Sequence, residues 1–257
     1  MTTSSTFQEL QNLLLFPVKG PDDRKRLLVA GLLGFAGFII PIIPGIFLLG
    51  YAGLIMRNII QEKVEPSMLE WKDWGKMFIL GLKLGGASFI YSLPAFIVMF
   101  LGYASMMLPA FLQAFSNPQS YSDVSPFVGI SFIGMFGGMA LFGVGFILFI
   151  PTLLALPPMM SHVAKTDSFS AAFHFKDWWR VFRSNIGGFA ITLILTAGLY
   201  FLVIFAFQIL YMTIILCITI PFLLAFLMAY LTIIASALFA IAYREGDEKL
   251  SGQEFIA

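Results

Sequence analysis

The chain has 257 residues, of which 59% are hydrophobic and 11% charged, against about 25% charged in a soluble domain, so composition excludes the soluble class. A formal net charge of +1 offers no basic balance that would draw the chain to nucleic acid, and charge here matters by position. The single cysteine, Cys217, excludes an intramolecular disulfide and a thiolate-rich metal cluster.

The first 18 residues have no basic stretch followed by an apolar core and a small-residue cleavage site, so no cleavable signal peptide is expected. Phe7, Leu10, Leu14 and Phe16-Pro17 make residues 6–17 a candidate surface helix whose expected role is to tether the N-terminus. Lysine and arginine are then absent from three apolar intervals, 27–56, 84–164 and 184–243. The first is about 45 Å long as a helix, too long for one upright crossing of a core about 30 Å thick and too short for two full ones. Pro41, Pro44 and Gly45 break it in the middle, and basic residues flank both ends. A hairpin returning to its starting side is therefore favoured over the competing reading, one tilted and kinked span.

Trp71-Lys72-Asp73-Trp74-Gly75-Lys76-Met77-Phe78 follows this interval. At 100° per residue Met68, Trp71, Trp74, Gly75 and Phe78 share one face and Glu70, Lys72, Asp73 and Lys76 the other, with Ser67 and Glu70 as a capping box. This predicts a helix lying in the membrane interface. The second interval is split at Gln113–Pro126, a polar stretch without a basic residue, which reads as a loop on the far side. Gly81 with Gly85, and Gly134 with Gly138, have the small-xxx-small spacing of close helix packing.

At an offset of 104 residues the motif returns as Phe175-Lys176-Asp177-Trp178-Trp179-Arg180-Val181-Phe182, again amphipathic. Trp71, Trp74, Trp178 and Trp179 are all the tryptophans of the chain. With Lys72, Lys76, Lys176 and Arg180 they are expected to anchor two interfacial helices, the indole NH groups reaching the headgroup layer. An aromatic cage for a lipid head or partner is the alternative. The third interval holds two crossings with a turn near Gln208–Pro221.

This predicts an all-α membrane protein: about six transmembrane helices as three hairpins, two amphipathic interfacial helices and two weakly related halves. The single integral domain, 1–257, comprises halves at 20–112 and 124–216, a final transmembrane helix at 217–243 and a cytoplasmic tail at 244–257. All fifteen basic residues fall on one side, which places both termini in the cytoplasm of a multi-pass protein of the cell (inner) membrane. Lys83, a turn into its span, would snorkel back to the headgroups.

Several stretches resemble one family. They are Phe16-Pro17 with Asp22-Asp23-Arg24, Gly50-Tyr51 with Arg57, Trp71-Lys72-Asp73-Trp74 before Phe78 and Gly81-Leu82, Phe173-His174-Phe175, and the closing Pro221–Arg244 helix. The chain resembles, over nearly its whole length, the prokaryotic multi-spanning proteins grouped as domain of unknown function 4013. The resemblance implies that architecture and supplies no site; Glu70 stands where the family pattern would place proline.

No acidic residue falls inside a predicted span, which argues against proton- or ion-coupled transport. His162 and His174, near Lys165, Asp167 and Asp177, suit a polar interfacial role better than a metal site. Ser88, Ser92 and Ser105 lack an activating base, and no phosphate-binding or dinucleotide fingerprint occurs. No cofactor, metal or catalytic activity is expected. The expected function is that of a non-enzymatic accessory or interaction protein. Its partners are then the bilayer, anionic headgroups on the cytoplasmic side and a membrane or cytoplasmic protein. The alternative is a passive or partner-driven transporter of a small neutral or amphiphilic solute, suggested by the repeat and the broken helices near Pro41, Pro94, Pro151 and Pro221.

Overall fold

The computed structural model describes residues 3–115, 124–211 and 219–254. Cys217, the centre of the Gln113–Pro126 loop and most of the turn after Gln208 lie outside the described residues. The described chain is helical: α1 Thr3–Leu15, α2 Pro21–Ile39, α3 Ile43–Gln61, α4 Trp74–Phe115, α5 Val124–Thr166, α6 Phe175–Ser184, α7 Ile186–Tyr211 and α8 Ile220–Glu254. Short 3-10 turns occupy Phe16–Val18 and Phe169–Phe173. Five of the helices, α3, α4, α5, α7 and α8, are long and apolar enough to cross a membrane. The sixth expected crossing falls to α2, whose apolar part, residues 27–39, is only about 20 Å long.

The interval 27–56 is a hairpin. Pro21 opens α2, and the Asp23 carboxylate accepts the Gly20 N–H at 3.1 Å, satisfying one orphan donor of the first turn. At the far end Ile42 takes φ 79° and ψ −59°, and the Ile43 N–H donates to Pro41 O at 3.0 Å. That is a γ-turn with its central residue in the left-handed region, a strained conformation for a β-branched side chain. Pro44 then opens α3. The base is closed by the Trp71 indole Nε1–H donating to Arg26 O at 3.0 Å and by Arg26 Nη1 donating to Met68 O at 2.7 Å. The start of α2 is thereby tied to the stretch that follows α3.

The chain divides into two compact units, residues 1–87 with 157–257, and residues 88–156. In the first, α8 packs against α2, α3, α6 and α7, and Tyr51, Ile55, Ile59, Met77, Ile233, Ile234 and Tyr243 form its core. Helices α3 and α4 cross where Gly50 faces the Met77 carbonyl and Gly81 the Ile46 carbonyl, too close for a Cβ on either glycine. Gly85, by contrast, has only Leu49 Cδ2, at 3.4 Å, an ordinary contact. In the second unit, residues 88–115 and 124–156 run antiparallel: Ser105 and Pro109 face Gly134, Gly102 faces Gly138 and Met99 faces Gly145. A Cβ at Gly138 would stand 2.6 Å from Gly102 O.

One expectation is corrected. The first tryptophan motif is not a separate interfacial helix, because residues 63–70 have no regular structure and α4 begins only at Trp74. The Ser67–Glu70 pair starts no helix, and tertiary hydrogen bonds hold the stretch in its irregular path instead. Met68 O accepts from Arg26 and Leu69 O from the Tyr51 hydroxyl at 2.9 Å, while Trp71 stacks flat on Tyr51, with ring centroids 4.0 Å apart. The second copy does form a short helix, α6.

Candidate functional site

Polar side chains of the first unit gather where α5 ends. Met159, Val163 and Ala164 face the core, so the helical repeat turns His162 and Lys165 to the other side. Helix α5 stops because Asp167 adopts φ 52°, and this residue is clasped by two cations. Lys83 Nζ lies 2.8 Å from Asp167 Oδ1 and donates to its carbonyl at 2.7 Å, and Arg57 Nη1 donates to Oδ2 at 3.0 Å. The hydrogen bond from Lys83, then the charges of Lys83 and Arg57, hold this carboxyl below the usual aspartate range against the opposing effect of burial. Lys83 is thus satisfied by a protein carboxylate.

Beyond Asp167 the chain turns through Phe169–Phe173 into α6. Trp178 fixes that helix: it is fully buried and its Nε1–H donates to Ala172 O at 3.0 Å. The end of α6 is stitched to α8, since Asn185 Nδ2 donates to Ala242 O at 2.9 Å, Ser184 Oγ donates to Gly246 O at 2.7 Å and Lys249 Nζ donates to Asn185 Oδ1 at 2.6 Å. Gly246 permits the approach, because a Cβ there would stand 2.6 Å from Val181 O.

Between α5, α6 and α8 lies a cavity of about 200 Å³ whose polar wall comprises His162, Lys165, Asp177, Arg180, Tyr243, Asp247 and Ser251. Val181 and Leu250 supply apolar lining. His162 Nδ1 is 2.6 Å from the Tyr243 hydroxyl, and Lys165 Nζ is 2.8 Å from both oxygens of Asp247. Asp177 and Arg180 stand one turn apart on α6. Among the described residues no three His, Cys, Asp or Glu side chains come together as a metal site.

The anchors expected from sequence have separate fates. Trp71 and Trp178 direct their NH groups to internal carbonyls, whereas Trp74 is 40% and Trp179 36% exposed. Trp74 packs edge-on against Phe47, and Trp179 lies between Phe175 and Phe182 at centroid distances of 5.3 and 5.1 Å. Lys72 pairs with Glu70, and Lys76 with Asp73 at 3.0 Å; the Lys72 hydrogen bond and charge hold the Glu70 carboxyl below its ordinary value. Lys176 is exposed. Of these anchors Arg180 alone lines the cavity. Tyr243 and Asp247 were not singled out as site residues from the sequence, although their spacing of four places them on one helix face.

The sequence profile of the family described as protein of unknown function (DUF4013) matches residues 33–212. No curated protein and no solved structure matches the chain.

Proposed function

The chain belongs to the DUF4013 family, and from that premise we propose that it is a non-enzymatic accessory or interaction protein of the cell (inner) membrane. In this reading both termini are cytoplasmic, and a basic and aromatic surface meets anionic headgroups and a protein partner there. One observation carries the reading. On α6, Phe175 and Trp179 are exposed beside Lys176, Arg180 and Arg183 while Trp178 and Val181 are locked inside. A helix held so firmly by α8 presents a rigid amphipathic face, the pattern of a surface that rests at the level of lipid headgroups. The polar residues of this end mostly pair with one another across helices, as in Arg57–Asp167–Lys83 and Lys165–Asp247, which supports a scaffold.

The test is native mass spectrometry of the full chain released from mixed-lipid nanodiscs. Wild type should retain acidic phospholipid, and the K176Q/R180Q/R183Q variant should lose most of it. Equal retention by the two proteins would overturn the lipid contact. The second reading, passive transport of a small neutral or amphiphilic solute, is favoured by the helix break at Ile40–Ile42 within an apolar interval. Solute flux through purified protein in liposomes would establish it in place of the first.

A further inference from the structure

The cavity between α5, α6 and α8 has a balanced lining, of which the proposed headgroup contact of α6 uses only Arg180. Lys165 and Arg180 bring two positive charges, and Asp177 and Asp247 two negative ones. A bare anion or a bare cation would leave charge of one sign without an advantage, whereas a ligand carrying both charges a few bonds apart meets both. The groups are not equivalent. The Lys165 ammonium is held by both oxygens of Asp247 at 2.8 Å, so this pair forms a fixed wall. Asp177 makes no side-chain hydrogen bond or ion pair among the described residues, and it sits one helical turn from Arg180. His162 Nδ1 and the Tyr243 hydroxyl are joined at 2.6 Å on the same wall. The Arg180 guanidinium suits phosphate oxygens, and an unshared carboxylate suits a primary ammonium.

Size and place narrow the ligand further. About 200 Å³ is roughly seven water volumes at about 30 Å³ each, below the usual range for a drug-sized ligand. The site lies beside Thr166, where the candidate span of α5 ends, and next to Arg244, the first charge of α8. Exposed Phe175 and Trp179 stand on the same short helix as Asp177 and Arg180. We infer that this cavity binds a phosphate–ammonium zwitterion, the headgroup of an ethanolamine phospholipid or the free phosphoethanolamine of the same chemistry. Asp177 takes the ammonium and Arg180 the phosphate. The inference rests on the proposed contact of α6 with headgroups and assigns it a selective site.

The test is again native mass spectrometry on the full chain, with phosphatidylethanolamine, phosphatidylcholine and phosphatidylglycerol offered at equal mole fraction. Ethanolamine lipid should be retained about tenfold over choline lipid, because a trimethylated ammonium has no N–H to give Asp177. D177N should reduce that preference to near unity without lowering phosphatidylglycerol retention, and R180Q should weaken both. Asp177 is exposed, so D177N leaves packing intact, and an unshifted melting temperature would verify this. Displacement of the lipid by soluble phosphoethanolamine would show that the headgroup alone is the ligand; retention despite it would show that the lipid is. Either result supports the zwitterion site. Equal retention of ethanolamine and choline lipids, or a preference unchanged in D177N, would overturn it. Failure of the wild type to retain phosphatidylglycerol, with its ethanolamine preference intact, would instead overturn only the proposed basic-surface contact.

Discussion

Replacing Trp178 by phenylalanine separates a structural role from surface anchoring. Trp178 is fully buried and its Nε1–H donates to Ala172 O at 3.0 Å. Loss of that bond removes about 1 kcal/mol. The indole exceeds a phenyl ring by roughly 35 Å³, which at about 24 cal/mol per Å³ of cavity adds about 0.8 kcal/mol. Roughly 40 Å² less buried apolar surface, at about 25 cal/mol per Å², adds about 1 kcal/mol. The expected loss for W178F is thus about 2–3 kcal/mol. Trp74 is 40% exposed, and W74F should cost less than about 0.5 kcal/mol. Thermal unfolding of both variants in one detergent, followed by loss of the monodisperse size-exclusion peak, gives the comparison. Equal midpoints for W178F and wild type would refute the buried role, and an equal loss in both variants would refute the distinction between the two copies of the motif.

Two further substitutions probe other links. Gly138→Leu should destabilise the α4–α5 hairpin by about 2 kcal/mol or more through overpacking, whereas Gly137→Leu, with nothing within 4 Å of its Cβ position, should be tolerated; equal protease sensitivity of the two would contradict the packing. Asp167 has a depressed folded pKa, so its clasp stabilises the fold above the ordinary aspartate value of about 3.9 and is lost as the pH falls through the lower, folded value. The stability gap between wild type and D167N should therefore narrow on acidification below about pH 4, and a gap constant from neutral pH into the acid range would exclude an ionic clasp.

What was legible in the sequence followed from long-range averages. The bilayer demands runs of about 20 apolar residues, so residues 84–164 and 184–243 announced their spans, and Pro41 with Pro44 announced the break in the first hairpin. The γ-turn at Ile42 was not legible, because nothing in Ile-Pro-Ile-Ile-Pro states which residue will take the strained conformation. The first tryptophan motif misled because helical periodicity counts faces and ignores tertiary partners: the Tyr51 hydroxyl and the Arg26 guanidinium hold the carbonyls of residues 69 and 68. Small-xxx-small spacing put Gly81 and Gly85 on one face of α4, and both meet α3, at Ile46 and Leu49, but spacing does not say that only at Gly81 is the approach too close for a Cβ. The cavity was the least legible feature. It joins His162, Arg180 and Tyr243, residues that no local pattern links, and only the docking of α6 on α8 brings them together.

That docking bears on how the protein is made. The first unit is assembled from residues 1–87 and 157–257, and its hub, α8, is the most C-terminal of the described helices. During synthesis the α2–α3 hairpin leaves the ribosome long before α8, the helix it packs against. Residues 88–156 form a contiguous hairpin and can close as soon as they are inserted, since their contacts are local. For that interval Gly31 and Gly34 of α2, which fit against Phe226 and Ala225 of α8, are without those neighbours. A ribosome stalled before residue 220 would therefore hold a chain whose second unit can close while its first still lacks its hub.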